Sequence, residues 1–253
     1  MLLAIDIGNS AIKFGVFDGE ILRSKFSVPT DREFTAEALA QAAAGQLDFP
    51  LNSAIACSVV PQIEQAVLEF VTQRLGLDLL FLDNASDFGL TIKYETVSTL
   101  GTDRLVNAFA AVTKYGTPLI VCSLGTATTI DVVSDQKEYL GGVIAPGIPA
   151  IAEALPMKAI NLPIVDVTKP SSVIGTSTVA SIQSGIFYGY ASMLDGLVAR
   201  IAAEFGSPLT PKVIATGGFA NLIVPECKTI DTIDENLLLD GLRLLHFSLP
   251  HKT

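Results

Sequence analysis

The chain has 253 residues, 26 acidic against 16 basic side chains, a net charge of −10 and 49% hydrophobic content. That is enough apolar material for one large core or two smaller ones, and it excludes a disordered chain. The acidic balance opposes nonspecific binding to nucleic acid or anionic lipid, two histidines near the C-terminus argue against a zinc site, and no stretch reads as a membrane span.

The first strand starts almost at Met1, with no basic region or small-residue cleavage site before it, so no signal peptide is expected. Cys57, Cys122 and Cys227 are odd in number, scattered and set in apolar contexts. They read as reduced core thiols of a cytoplasmic protein.

In chain order, Leu2 to Ile7 is an apolar run that takes in Asp6, turns through Gly8-Asn9-Ser10 and resumes apolar alternation to Val16, a β-hairpin pattern. Glu20 to Val28 extends the meander. Thr35 to Leu47 is an alanine-rich amphipathic helix, Ser53 to Val60 a strand closed by Pro61, Ile63 to Leu75 a second helix and Leu77 to Leu82 a strand. This β-β-β-α-β-α-β order is typical of a mixed sheet with helices outside. Asp83 to Thr99 is irregular, and Gly101 to Tyr115 is a helix, with the domain boundary near Tyr115–Gly116.

Beyond it, Pro118 to Val121 is a strand. Gly141 to Gly147 reads as a glycine- and proline-rich loop leading into a short helix to about Leu155, and Pro163 to Ser172 as a connector. Ser177 to Phe205 is the longest helical pattern, with Gly185 and Gly189 suggesting close helix packing. Pro211 to Ala215 is a strand with Thr216-Gly217-Gly218 as its exit turn, and Glu235 to His246 is a final amphipathic helix.

The chemistry starts at the first hairpin, where Asp6-Ile7-Gly8-Asn9-Ser10 and Lys13 would face one side. Glycine lets backbone approach a phosphate, and successive N–H groups in such a turn form an anion nest. Asp6 has the charge to hold a hydrated Mg²⁺ against that phosphate, and Lys13 the charge to screen it. Alone, this is also an ordinary hairpin turn. Its weight comes from a second copy, Cys122 to Val133: with Asp6 over Ser123, Gly8 falls on Gly125, Asn9 on Thr126, Ser10 on Ala127 and Asp18 on Asp135, all 117 positions on. One such unit per half suggests a duplicated domain. In Gly101-Thr102-Asp103-Arg104, Asp103 is a candidate base for a substrate hydroxyl. Arg104 is a candidate fork for a substrate carboxylate, although a helix cap and a surface charge would look the same. Gly217-Gly218 would let adenosine lie flat on the main chain. No Walker motif occurs, which rules out a P-loop kinase.

The two phosphate turns together resemble the superfamily of acetate and sugar kinases, heat-shock chaperones and actin. The phosphate turn, Gly101-Thr102-Asp103-Arg104, Gly125-Thr126-Ala127-Thr128-Thr129, Gly141 to Gly147 and Thr216-Gly217-Gly218 occur in the order and spacing of type III pantothenate kinases, from Met1 to about His246. The resemblance implies an α/β fold of two duplicated, actin-like (ribonuclease H-like) domains, 1–115 and 116–253, with mixed sheets flanked by helices and an ATP cleft between them. It implies transfer of phosphate from ATP, with Mg²⁺ on Asp6, to pantothenate in the first step of coenzyme A biosynthesis. Asp103 would be the catalytic base, Tyr94, Gly101, Thr102, Arg104 and Thr178 substrate contacts, and Gly125 and Thr126 phosphate contacts. It also implies a homodimer, for which Ile182 to Leu194 is the interface candidate.

Ser123 departs from the pattern. The family carries an aspartate there that ligates a monovalent cation, K⁺ or NH₄⁺, and a serine hydroxyl is a weaker, neutral ligand. The cation site is then lost, built from carbonyls and water, or served by another charge. Ser177, where the family shows asparagine, keeps a capping oxygen. Two other readings stay open: a catalytically weak homologue acting as an accessory regulator, and a kinase of the same fold with another small acceptor.

Overall fold

The computed structural model describes residues 1–159, 161–205 and 210–249, and the chain in it falls into two compact units. The first comprises Met1–Leu90, Tyr94–Ala110 and the chain from Asn236 onward; the second comprises Thr91–Lys93 and Ala111–Glu235.

The first unit is built on a five-stranded sheet. Its strands are β1 (Leu2–Ile7), β2 (Ala11–Asp18), β3 (Ile21–Pro29), β4 (Ser53–Ser58) and β5 (Leu79–Phe81), in the order β3-β2-β1-β4-β5. β1 is central because it is apolar at every position but Asp6, and all six of its residues are buried. It runs antiparallel to β2 and parallel to β4. β3 is an edge strand, so it alternates exposed and half-buried residues and carries Arg23 and Lys25 outward.

The helices of this unit include α1 (Ala36–Ala42), α2 (Glu64–Glu69), the first part of α3 (Thr102–Tyr115) and the C-terminal helix. Both early helices are shorter than their sequence patterns predict. The first ends before Gly45, whose φ is +74°; in the second, a π-helical turn at Phe70–Arg74 replaces the last α-turns.

The second unit has a six-stranded sheet of β6 (Thr91–Ile92), β7 (Leu119–Leu124), β8 (Ala127–Val133), β9 (Glu138–Pro146), β10 (Lys212–Thr216) and β11 (Thr232–Ile233), in the order β11-β10-β7-β8-β9-β6. Without β6 this repeats the first sheet: an antiparallel three-strand meander whose first strand then pairs in parallel with the fourth. The internal repeat is therefore structural as well as sequential. α4 (Ile148–Lys158) follows β9, and α5 (Thr178–Phe205) covers one face with Ile182, Ile186, Phe187, Tyr190, Leu194 and Val198. α6 (Ala220–Ile223) follows β10, and α7 (Leu237–Ser248) is the C-terminal helix, which packs on β1 and β4 in the first unit.

Three expectations need correction. Gly141 to Pro146 is β-strand, not loop; pairing with β8 from Thr128↔Ala145 to Val132↔Gly141 overrides the glycine-rich composition, and only Gly147 remains as the cap of α4. The 117-residue offset holds through β7, but the second turn is one residue shorter. Lys13, paired with Asp6, therefore corresponds to Thr129, paired with Ser123, and Asp18 does not correspond to Asp135. Finally, a Cβ at Gly185 or Gly189 would meet nothing within 4 Å, so these glycines do not mark close packing inside the chain.

Candidate active site

In the first unit, the turn after β1 is closed by the Gly8 N–H donating to the Ala11 carbonyl at 3.1 Å. Thr30 fixes it from β3's end: its hydroxyl donates to the Gly8 carbonyl at 2.6 Å and its N–H to the Ser10 carbonyl at 3.1 Å. Asn9 and Ser10 stay exposed. Asp6 is 3% exposed and is held from both flanking strands. Lys13, directly opposite on β2, donates to Oδ2 at 2.9 Å, and the Cys57 thiol, directly opposite on β4, faces Oδ1 at 4.0 Å. The Asp6 carboxylate raises the pKa of Lys13; burial opposes the rise and Asp103 adds to it. Burial, then Asp6 and Asp103, push the Cys57 thiol well above its usual value, so it stays S–H. Asp6, Lys13, Cys57 and Asp103 therefore form one electrostatic cluster.

Asp103 is there because α3 begins beside it. Its Oδ1 accepts the Arg104 N–H at 2.9 Å, and the carboxylate folds back over Gly101, where any Cβ would collide with Oδ1. Thr102 is buried and donates to Asn84 Oδ1 at 2.9 Å, while the Asn84 amide donates to the Val97 carbonyl at 2.9 Å. Arg104 is buried too, its guanidinium carbon 6.0 Å from the centre of the half-buried Tyr94 ring. The expected substrate contacts Tyr94, Gly101, Thr102, Asp103 and Arg104 thus come together in one place.

In the second unit, the Gly125 N–H donates to the Ala127 carbonyl at 3.1 Å, the counterpart of the Gly8 bond. Two glycines crowd this turn. A Cβ at Gly147 would overlap the Gly125 and Thr126 carbonyls, and one at Gly217, whose φ is +96°, would lie 2.5 Å from the Leu124 carbonyl oxygen. Gly218, beside it, has nothing within 4 Å of where its Cβ would be. Gly125, Thr126 and Gly217-Gly218 thus share the same end of β7 and β10. Thr178 stands elsewhere in this unit, on the first turn of α5. There it lines a cavity of about 940 Å³ with Thr176, Ser177, Ser181, Leu155 and Ile182.

The donors around Ser123 do not make the carboxylate cation site that the resemblance implies. Ser123 pairs with Thr129 on β8 and with Thr216 on β10, all hydroxyls. The carboxylate on that part of the sheet, Asp131, is fully buried; it accepts the Tyr139 hydroxyl at 2.5 Å and the Thr129 hydroxyl at 3.2 Å. Among the described residues no three His, Cys, Asp or Glu side chains group as metal ligands. Asp6 does fit Mg²⁺. A buried carboxylate whose Oδ1 meets only a weak thiol donor can take a hydrated cation that brings its other ligands as water and phosphate.

Sequence reasoning missed Cys57, Thr30, Asn84 and Asp131. Cys57 could have been found by aligning β4 in parallel with β1; Thr30 and Asn84 act through contacts that no local pattern encodes.

Two sheets of one topology, each opening on a glycine hairpin, define the actin-like ATPase and sugar-kinase class of fold. Solved structures agree: a Campylobacter jejuni protein of the Baf transcriptional-activator family superposes with a TM-score of 0.61 at 20% identity over 96% of each chain. MreB 5 of Spiroplasma citri, bound to AMPPNP, gives 0.53 at 11% identity over 98% of this chain and 96% of that one. The type III pantothenate kinase profile matches residues 2–200. The type III pantothenate kinase of Anaeromyxobacter sp. (strain K) is 43% identical over 252 residues, 97% of this chain and 98% of that protein. The chain belongs to the type III pantothenate kinase family.

Proposed function

We propose that the chain transfers the γ-phosphoryl group of ATP to the primary hydroxyl of pantothenate, giving 4′-phosphopantothenate and ADP in the first step of coenzyme A biosynthesis. The observation that carries this reading is the cluster of Asp6, Lys13 and Asp103 in a chain of this family. Asp103 takes the proton of the attacking hydroxyl; that oxygen bonds to the γ-phosphorus as the bond to the β–γ bridging oxygen breaks. Asp6 would hold Mg²⁺, which when bound neutralises phosphate charge, and Lys13 adds a second positive charge beside it. Arg104, stiffened by Tyr94, clamps the pantothenate carboxylate, and Thr178 is a further pantothenate contact. Ile7 to Ser10, Gly125 and Thr126 contact the phosphates, with Gly217-Gly218 under the adenosine.

The working form is a cytoplasmic homodimer that meets through α5. Supporting this are the open space beside Gly185 and Gly189 and the exposed Met157, Ile164, Ile174 and Val179. Among the described residues no helix is long and apolar enough to cross a membrane. A monomer at micromolar concentration by light scattering would remove the dimer.

The test is ADP release from the purified protein with Mg·ATP, with and without pantothenate, in K⁺, NH₄⁺ and Na⁺ buffers. Turnover is expected only with pantothenate, at similar rates in the three cations because Ser123 offers no carboxylate, and lower by orders of magnitude in Asp103→Asn. No turnover in any buffer from a folded, ATP-binding protein would favour the accessory-regulator reading, for which Ser123 is the supporting observation. Turnover with another acceptor alone would favour a different substrate.

A further inference from the structure

Cys57 has no role in the chemistry above, yet it occupies the one position on β4 directly beside Asp6. The pair is enclosed: Cys57 is fully buried and Asp6 nearly so. Asp6 therefore has a different donor on each oxygen, the Lys13 ammonium at 2.9 Å on Oδ2 and the thiol at 4.0 Å on Oδ1. The second unit repeats the arrangement, with Thr216 on β10 directly beside Ser123 on β7 as Cys57 is beside Asp6. In both sheets the fourth strand puts a side chain with a polar hydrogen next to the last-but-one residue of the first strand.

We propose that Cys57 is a positioning residue for Asp6: its S–H fixes the carboxylate plane from the β4 side and keeps Oδ1 turned toward the divalent cation. This rests on the phosphoryl-transfer reading, in which Asp6 holds Mg²⁺. A thiol suits the task because it is a weak, long-reaching donor. Its polar hydrogen biases the orientation of Oδ1 from 4.0 Å, and a serine hydroxyl at the same position carries the same kind of hydrogen. Lys13 alone cannot do this, since one contact on Oδ2 leaves the carboxylate able to rotate about its Cβ–Cγ bond.

The alternative, that Cys57 is simply a small apolar core residue, predicts a different order of variants. If packing alone matters, Cys57→Ala does at least as well as Cys57→Ser, because burying a hydroxyl costs more than burying a methyl. If the donor matters, Cys57→Ser does better than Cys57→Ala, because serine restores a polar hydrogen facing Oδ1. Cys57→Val fills the slot without a donor and keeps the comparison open should the alanine variant fail to fold.

The measurement is binding of a fluorescent ATP analogue to the full-length protein as Mg²⁺ is titrated, with thermal unfolding of each variant alongside. It needs no acceptor, so it is independent of whether pantothenate is the substrate. The expected result is a three- to tenfold higher Mg²⁺ half-saturation in Cys57→Ala and Cys57→Val, near-wild-type values in Cys57→Ser, and nucleotide binding without Mg²⁺ unchanged in all. Equal half-saturation in every variant, or serine as poor as alanine or worse, overturns the positioning role and leaves the phosphoryl-transfer reading standing. Failure of the wild type to bind Mg·ATP overturns both.

Discussion

Replacing Gly101 with alanine puts a methyl group where the Asp103 carboxylate lies. In the native structure Oδ1 occupies the space that a Cβ at position 101 would need, and it accepts the Arg104 N–H at 2.9 Å from there. The backbone of the α3 start cannot yield easily, because Thr102 is buried and bonded to Asn84. The carboxylate must therefore swing away. It forfeits a hydrogen bond to a charged group, worth about 1.5–3 kcal/mol, and moves the proposed base by about 1 Å, a displacement that costs on the order of 100-fold in rate. Overall stability should fall by only about 1–2 kcal/mol, since the displaced side chain can turn toward water. Steady-state kinetics with pantothenate and ATP, with a thermal melt, separate the two. The expected result is kcat reduced about 100-fold with a melting point only a few degrees lower. Wild-type kcat in Gly101→Ala would refute the reasoning: either glycine does not locate the carboxylate or Asp103 is not the base.

Two stability predictions follow from packing and titration. Gly241 on α7 lies against α3, where a Cβ would be 2.8 Å from Val106 Cγ1 and 2.9 Å from Ala110 Cβ; Gly241→Ala should cost about 1–3 kcal/mol in urea unfolding, and no loss would show that α7 can shift freely. Burial raises all three thiols, Cys227 to about 12, and also Tyr190. Their folded values exceed the unfolded ones, so this stability is complete below about pH 9 and is lost as pH rises, by up to about 1.4 kcal/mol per pH unit for each thiol. Denaturation midpoints measured between pH 8 and 10.5 should fall, and less steeply in Cys227→Ser; a flat profile would contradict the assigned burial.

The sequence by itself determined the strands of the first sheet, the first hairpin and the existence of a repeat. These are local: β1 reads as a strand from an apolar run broken only by Asp6, and the small, polar Gly8-Asn9-Ser10 between two apolar stretches marks the turn. It also picked out Gly101 to Arg104, because an acid beside an arginine at a helix start is a compact chemical signal. Tertiary structure decided what depends on register and on distant partners. β9 is a strand despite Gly141 and Gly142 because β8 pairs with it, and the second turn loses one residue, which sets Thr129 rather than Ile130 opposite Ser123. α7 reads as an amphipathic helix from its leucines, but nothing in them says which sheet it covers; only the folded chain returns it to β1. Cys57 meets Asp6 only because β4 lies parallel to β1 in one register, a pairing between residues 51 positions apart that no periodicity in either strand encodes.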